Sequence, residues 1–154
     1  MTSEVVQELE RHGLSYELLP HHRTTTAGEE AVALGVPRAE VAKTVVLATE
    51  DGYLRAVVPA SERLDLHKVR DFLDGGRTTR LATEDDLAEV YPMFELGAVP
   101  PFGGPAGDAV LVDRRLAAEE SVVLEAGSHR DSVRLRMRDL LALTGARIAD
   151  ITVE

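Results

Sequence analysis

The sequence predicts a protein that mixes helices with β-strands. Short segments with apolar residues at helical spacing occur between apolar runs of strand length, and Gly or Pro marks most of the junctions. With 154 residues, of which 44% are hydrophobic and 29% charged, the chain is long enough to bury a core. We find no internal repeat, low-complexity tract or linker. We therefore expect a single domain over residues 1–154.

The first third of the chain contains two helices with clear end signals. Residues 3–12 carry Val5, Val6 and Leu9 on one stripe after Ser3, a plausible N-cap, and Gly13 ends that helix. A short strand is expected over residues 15–19. The segment 26–29 has the spacing of a capping box, which predicts a helix from Thr26 to about residue 34, before Gly35. His21 and His22 lie in the preceding loop, where neighbours rarely point the same way, so a two-histidine metal site is not expected.

Residues 41–49 and 53–59 flank Asp51-Gly52 and predict a β-hairpin. Lys43 interrupts the apolar character of the first strand. The chain has only one other lysine, Lys68, among many arginines. Lys43 either extends its ammonium to solvent or holds a negatively charged or carbonyl oxygen at the edge of a pocket. Both interpretations remain open from the sequence.

The second half of the chain continues the mixed pattern. Val133, Leu135 and Met137 alternate with arginines, which predicts a half-buried strand whose outer face is either solvated or a patch for phosphate groups. The other expected elements are helices over residues 65–73, 83–91 and 139–143, strands over 78–81, 108–113, 121–125 and 146–153, and turns at 114–115 and 126–131.

Residues 95–104 form a rigid loop rich in glycine and proline. Pro100 and Pro101 restrict the backbone, whereas Gly97, Gly103 and Gly104 permit conformations closed to other residues. Such a loop can present backbone N–H groups to a ligand. The alternative is an ordinary turn between two strands.

Composition excludes several function classes. A formal net charge of −10 argues against indiscriminate binding to nucleic acid or anionic membranes, although a local basic face is compatible with it. The absence of cysteine excludes thiolate catalysis, disulfides and cysteine-ligated metal sites. No apolar run approaches the length of a membrane span, and the first residues do not resemble a signal peptide. We expect a cytoplasmic protein without a membrane partner.

Three motifs in a fixed order carry a family resemblance. They are Val41-Ala42-Lys43-Thr44 on a strand, the loop Gly97-Ala98-Val99-Pro100-Pro101, and the turn Ala126-Gly127-Ser128-His129. Together with the histidine-containing segment and Thr26-capped helix upstream, they resemble the YbaK/prolyl-tRNA-synthetase-associated domain family of aminoacyl-tRNA deacylases, which edit mischarged tRNA. The resemblance covers essentially the whole chain.

The resemblance implies an α+β fold in which helices surround a single-domain curved mixed β-sheet. It also implies trans-editing hydrolysis of the ester that joins an amino acid to the 3′ end of tRNA. The expected partners are the aminoacyl-tRNA acceptor end and an aminoacyl-tRNA synthetase, and neither a cofactor nor a metal is expected.

The resemblance also assigns site residues. Lys43, Gly97 and His129 are the expected catalytic residues: the lysine would hold the terminal adenosine, its phosphate or the ester carbonyl, and the histidine would orient water or substrate as a polar wall. Loop N–H groups would stabilise the oxyanion. The expected substrate-binding residues are His22, Thr26, Ala98, Val99, Pro100, Pro101, Phe102, Gly103, Gly127 and Ser128.

The cysteinyl-type deacylases of that family have a different turn at the position of Gly127-Ser128-His129, so a small amino acid such as alanine is the expected substrate. Two other functions are weighed. One is a non-catalytic module that binds an aminoacylated tRNA end, a nucleotide or a synthetase. The other is a metal-dependent hydrolase, but the five histidines show no ligand spacing.

Overall fold

A computed structural model describes residues 4–73, 76–104 and 108–154. Helices and strands alternate along these residues, with additional 3-10 turns at Arg38–Glu40 and Gly76–Thr78. The helices are α1 (Glu4–Arg11), α2 (Ala27–Leu34), α3 (Leu66–Phe72), α4 (Glu84–Val90), α5 (Arg114–Ala117) and α6 (Met137–Thr144). The strands are β1 (Glu17–Pro20), β2 (Ala42–Thr49), β3 (Gly52–Pro59), β4 (Arg80–Leu81), β5 (Ala109–Asp113), β6 (Ser121–Ser128), β7 (Asp131–Arg136) and β8 (Arg147–Ala149).

The strands form two hydrogen-bonded sheets. One is antiparallel with the order β1-β7-β6, and the other is mixed with the order β4-β2-β3-β5-β8, in which β3, β5 and β8 run parallel. A parallel bridge between Val41 and Val123 connects the two sheets. The predicted α+β class is confirmed.

Local sequence signals account for most of the element boundaries. The predicted hairpin is present, with Thr49 paired to Gly52, whose φ is +127°. The Thr26 side chain accepts a hydrogen bond from the Glu29 amide at the start of α2, and Gly35 ends that helix with a φ of +67°. The predicted N-cap Ser3 lies outside the described residues.

The structure corrects the sequence interpretation around residues 114–137. Arg114 and Arg115 do not form a turn but begin α5, because the Asp113 side chain accepts a hydrogen bond from the Arg115 amide and caps the helix. β6 continues to Ser128 through an irregularity after Glu125, so the turn is confined to the tip of the β6–β7 hairpin. Met137 begins α6 instead of ending a strand, and its side chain is buried in the core.

The buried residues place the core on both faces of the two sheets. α1 buries Val5, Val6 and Leu9 against β6, and Leu140 of α6 joins the same cluster. A smaller cluster, which contains Ala27, Ala31, Val41 and Val123, packs α2 against the bridge between the sheets. This packing fixes the start of α2 beside the point where β2 and β6 separate. No helix in the described residues is long and apolar enough to cross a membrane.

Candidate functional site

A cleft opens beside the Val41–Val123 bridge, and its volume is about 170 Å³. Four parts of the chain line it: the residues that begin α2, the first residues of β2, the loop 95–104, and β6. Its lining residues are Thr25, Thr26, Ala27, Ala42, Lys43, Thr44, Gly97, Val99, Pro100 and Glu125. The cleft therefore brings together Lys43, Gly97, Thr26, Val99 and Pro100 of the residues predicted from sequence.

Lys43 lies in the second position of β2, opposite Val58 of β3, and is half-buried. Within the described residues, no carboxylate forms an ion pair with its ammonium group, and no acceptor forms a hydrogen bond with it. Lys68 provides a contrast, since its Nζ lies 3.1 Å from Asp150 Oδ1 and 2.8 Å from the Thr152 carbonyl oxygen. Lys43 is thus a cation with no protein partner among these residues at the edge of a cleft.

Two residues of the loop 95–104, Gly97 and Val99, line the cleft together with Lys43. Gly97 has a φ of +84°, a conformation that glycine adopts without strain. The Ala98 amide donates to the Glu95 carbonyl oxygen at 2.9 Å, which closes a tight turn. The amides of Gly97 and Val99, on either side of Ala98, have no acceptor among the described residues. Because both residues line the cleft, their N–H groups are the candidates in this loop for contact with a ligand there.

Arg55 of β3 fixes the second half of this loop, a role that the sequence interpretation missed. Its guanidinium is buried and donates to the Pro100 carbonyl oxygen at 2.9 Å and to the Gly103 carbonyl oxygen at 2.7 Å. Its Nε lies 3.2 Å from Asp108 Oδ2, which also accepts a hydrogen bond from the Tyr91 hydroxyl. An arginine within an apolar strand was the sequence signal for this contact.

Four of the predicted substrate-binding residues do not line the cleft. Phe102 packs in the main core, and Pro101 and Gly103 line a separate surface depression near Arg55. Ala98 is buried by its own turn. The prolines and glycines of this segment thus serve mainly to shape the loop, and only its first half faces the cleft.

Gly127 is required for packing. Its φ is +92°, and a Cβ atom at this position would lie 2.8 Å from Cδ1 of Phe94. Its carbonyl oxygen also accepts a hydrogen bond from the Glu95 amide at 2.9 Å. Gly127 therefore permits the close approach of β6 to the segment that leads into the loop.

His129 lies behind the loop instead of in the cleft wall. The residue is 4% exposed, and its Nε2 lies 2.7 Å from the Leu96 carbonyl oxygen. Because a carbonyl oxygen only accepts, Nε2 must carry the proton of this hydrogen bond. The ring also packs under Gly97, where a Cβ atom would lie 3.6 Å from Cε1 of the histidine. The structure therefore makes His129 a support for the Gly97 turn.

Glu125 was not predicted, although it lines the cleft. Its Oε2 lies 2.9 Å from His129 Nδ1, but the two groups are not aligned as a hydrogen bond. Burial, with a smaller effect from the nearby carboxyl groups of Glu30 and Glu95, raises the pKa of Glu125 to about 8. Sequence reasoning had no signal for it, since a glutamate at the end of an apolar strand is usually a solvated residue.

His22 and Ser128 lie outside the cleft. His22 is exposed, and its carbonyl oxygen contacts Nδ1 of His21 at 2.6 Å. Ser128 shapes the β6–β7 hairpin, where its hydroxyl donates to Asp131 Oδ2 at 3.1 Å. Thr26 does line the cleft, but its hydroxyl oxygen is occupied as the cap of α2.

The cleft can stabilise negative charge on a bound oxygen. Lys43, Gly97, Val99 and the first residues of α2 line the same small space as Glu125, and an ammonium group, backbone amides and the N-terminal end of a helix are groups that favour negative charge. The residues that line it include threonine hydroxyls but no histidine or cysteine. The arrangement therefore suits a reaction in which an oxyanion develops on the ligand and water is the attacking group.

Comparison with known proteins identifies a family for the chain. The model of the aminoacyl-tRNA editing domain family matches residues 21–143. A proline–tRNA ligase from Fervidobacterium nodosum is 29% identical over 126 residues, which cover 80% of this chain and 21% of that protein. A proline–tRNA ligase from Salinispora tropica is 28% identical over 151 residues, which cover 84% of this chain and 24% of that protein. The chain thus spans less than a quarter of the length of these curated relatives.

Solved structures match the chain over nearly its full described length. A candidate trans-editing enzyme for prolyl-tRNA synthetase is 34% identical, with a TM-score of 0.85 and coverage of 98% of this chain and 96% of the other. A hypothetical protein is 29% identical, with a TM-score of 0.88 and coverage of 97% and 99%.

Proposed function

Because the chain belongs to the aminoacyl-tRNA editing domain family, we propose that it is a freestanding deacylase that hydrolyses the ester of mischarged tRNA in trans. The observation that carries this proposal is the unpaired ammonium of Lys43 beside the free amides of Gly97 and Val99 in one cleft. These three groups are the donors that ester hydrolysis requires at the carbonyl oxygen.

In the proposed reaction, water attacks the carbonyl carbon of the ester and negative charge develops on the carbonyl oxygen. The amides and the ammonium stabilise that charge. When the tetrahedral intermediate collapses, the bond between the carbonyl carbon and the ribose oxygen breaks, and the ribose oxygen takes a proton. The products are the free amino acid and tRNA with an intact terminal hydroxyl group. Fixed donors favour this step because they need no reorganisation as the charge forms.

We propose that the amino acid is small, and alanine is the preferred substrate. The cleft is lined by Ala27, Ala42 and Gly97 and has a volume of about 170 Å³. Discrimination in such a pocket comes mostly from exclusion of larger side chains, since one methylene is worth only about 1–3 kcal/mol in an apolar site.

We further propose that the protein meets the acceptor end of tRNA in the cytoplasm, where tRNA is charged, and that it cooperates with an aminoacyl-tRNA synthetase. The prolyl-tRNA ligases among its relatives support a link to prolyl-tRNA synthetase. With a net charge of −10, contact with tRNA has to be confined to a small area around the cleft. Arg134, on the predicted arginine-rich face, pairs with Glu17, and Arg114 of α5 pairs with Asp150.

The test is hydrolysis of a panel of mischarged tRNAs by substoichiometric protein. Alanyl-, seryl- and cysteinyl-tRNA are compared, and release of the amino acid is followed over many turnovers. We expect multiple turnovers on alanyl-tRNA and slower reaction with the others. Binding of the charged tRNA without turnover would instead identify a non-catalytic module.

A further inference from the structure

Glu125 is an acidic residue in a site otherwise built to hold negative charge. Its side chain is 12% exposed and lines the same cleft as Lys43. No described residue donates a hydrogen bond to either of its oxygens, and Oε2 is buried without a hydrogen-bond partner. A buried carboxyl group without donors is costly unless a ligand supplies the missing partner.

The fold places this carboxyl group and Lys43 at equivalent positions. Val41 and Val123 form a parallel bridge, and Lys43 and Glu125 lie two residues further along their respective strands. Because side chains alternate along a strand, both project to the face on which the bridge pair lies. They do not form an ion pair with each other, so the cleft offers a separate cationic group and a separate acidic group.

The surroundings of Glu125 favour a cation as its ligand. Glu30 of α2 and Glu95 of the loop lie close enough to raise the pKa of Glu125 through their negative charges. His129 contacts one oxygen at 2.9 Å, yet its other ring nitrogen is committed to the Leu96 carbonyl oxygen. An incoming cation would favour the ionised form of Glu125, which burial and the two neighbouring glutamates otherwise disfavour.

We propose that Glu125 binds the α-ammonium group of the aminoacyl ester and makes the site selective for esters that carry a free amino group. The inference rests on the proposed function, in which Lys43 and the loop amides bind the carbonyl oxygen of the ester. An aminoacyl ester presents one ammonium group two bonds from the carbon of that carbonyl. Glu125 is then a specificity-determining residue that orients the ester before water attacks.

The test compares alanyl-tRNA with lactyl-tRNA, in which a hydroxyl group replaces the ammonium at nearly the same size. kcat/KM is measured for both substrates with the unmodified protein, Glu125→Gln and Glu50→Gln. Glu50 is exposed at the turn that follows β2, so its variant removes one carboxylate at the end of that strand remote from Lys43. The two esters differ in intrinsic reactivity, but this difference is the same for every variant. It therefore cancels when the kcat/KM ratio of the two substrates is compared between variants.

We expect Glu125→Gln to lower kcat/KM for alanyl-tRNA by about tenfold or more and to change lactyl-tRNA by less than about threefold, because a charge-assisted hydrogen bond is lost with one substrate only. Glu50→Gln should behave as the unmodified protein. An equal decrease for both esters would overturn the proposal, since Glu125 would then act on the ester or on water. The proposal would also be overturned if the ratio of kcat/KM for alanyl-tRNA to kcat/KM for lactyl-tRNA were the same in Glu125→Gln as in the unmodified protein.

A binding measurement separates this inference from the proposed activity. Adenosine with a 3′-alanylamino group cannot be hydrolysed as an ester, and its 3′-lactylamino counterpart lacks only the ammonium. Titration calorimetry should show tighter binding of the alanyl compound to the unmodified protein and equal, weaker binding of both to Glu125→Gln. Equal affinity of the unmodified protein for the two compounds, or no binding of either, would overturn the inference. Selective binding of the alanyl compound, without turnover on any tRNA, would support the inference about Glu125 and refute the proposed deacylase activity.

Discussion

At the scale of single residues, Gly97 combines a positive φ with a position in the lining of the cleft. Its φ is +84°, whereas a Cβ atom would make only ordinary contact with the His129 ring at 3.6 Å. The requirement for glycine is therefore conformational and not steric. An alanine must either strain the backbone or turn the amides away from the cleft.

We predict that Gly97→Ala lowers the free energy of unfolding by about 1–2 kcal/mol and lowers kcat for deacylation by roughly 10- to 100-fold, because a small misplacement of donors costs this much rate. Gly145→Ala is the matched control. Gly145 also has a positive φ, at +63°, with open space around it at the end of α6. Chemical denaturation and single-turnover kinetics check both variants, and a similar loss of rate in Gly145→Ala would contradict the assignment.

His129 allows two interpretations to be separated by experiment. The sequence predicts a polar wall that orients water or substrate, whereas the structure shows a ring that supports the Gly97 turn through the Leu96 carbonyl oxygen. His129→Phe keeps a ring in this place but removes the donor. We expect a loss of about 1–3 kcal/mol in stability, a lower kcat, and faster hydrogen exchange at the Ala98 amide, which donates to the Glu95 carbonyl oxygen.

The exchange measurement decides between the two roles of His129. His129→Gln, which retains a donor, should recover part of both stability and rate. Loss of activity in His129→Phe with unchanged exchange in the loop would show that the histidine acts directly on substrate or water.

At the scale of elements, the loop 95–104 is fixed by a residue of the neighbouring sheet. Arg55 binds two of its carbonyl oxygens and also lies 4.8 Å from the centre of the Tyr91 ring. A lysine cannot reproduce this planar set of donors. The position of the cleft wall therefore depends on β3 as much as on the loop sequence.

We predict that Arg55→Lys destabilises the protein by about 2–5 kcal/mol, because buried carbonyl oxygens and Asp108 lose their donors. The remaining folded fraction should have a reduced kcat with little change in KM for tRNA, since the oxyanion donors are misplaced. Arg80→Lys is the control, because Arg80 is exposed and pairs with Asp86 on the surface. Denaturation and steady-state kinetics would refute this account if Arg55→Lys kept the full kcat.

The elements themselves were largely predictable because their signals are local. Asp51-Gly52 specifies a hairpin turn, and Thr26 and Thr83 cap the helices that follow them. The sequence predictions were wrong where a side-chain cap or burial in the core sets the start of a helix. The cap from Asp113 turns an arginine pair into a helix start, and burial of Met137 starts α6 earlier than the alternating pattern indicated.

At the scale of the whole molecule, buried carboxyl groups make stability depend on pH. Glu30 is fully buried, and burial raises its pKa to about 7 from an ordinary value of 4.5, while that of Glu125 is raised to about 8. Between about pH 4.5 and 8, the folded protein retains protons that the unfolded chain has released. Stability from these groups is thus fully present below pH 4.5 and is lost as pH rises to about 8.

We predict that the free energy of unfolding decreases between pH 5 and 8, with a slope of at most about 1.4 kcal/mol per pH unit for each group. Glu30→Gln should flatten the profile, whereas Glu29→Gln, an exposed neighbour on α2, should leave it unchanged. Urea denaturation across this range provides the measurement. A stability that rises from pH 5 to 8 would contradict the assignment.

The site as a whole could be predicted only in part. Lys43 and the loop carry sequence signals, since a charge in an apolar strand and a Gly/Pro cluster are visible without a structure. Glu125 and the support role of His129 depend on the pairing of distant strands and on burial, neither of which one sequence reveals. The cleft exists because Val41 meets Val123, a contact between residues far apart in the chain.

The most direct test of the central claim uses the chain's two lysines. Lys43 lies unpaired in the cleft, whereas Lys68 binds Asp150 and the Thr152 carbonyl oxygen on another part of the surface. Multiple-turnover hydrolysis of alanyl-tRNA is measured for Lys43→Ala and Lys68→Ala, with both shown to be folded. We predict that Lys43→Ala lowers kcat/KM by about 100-fold or more at nearly unchanged stability, whereas Lys68→Ala loses about 1–2 kcal/mol of stability and keeps its rate. Full activity in Lys43→Ala would contradict the account.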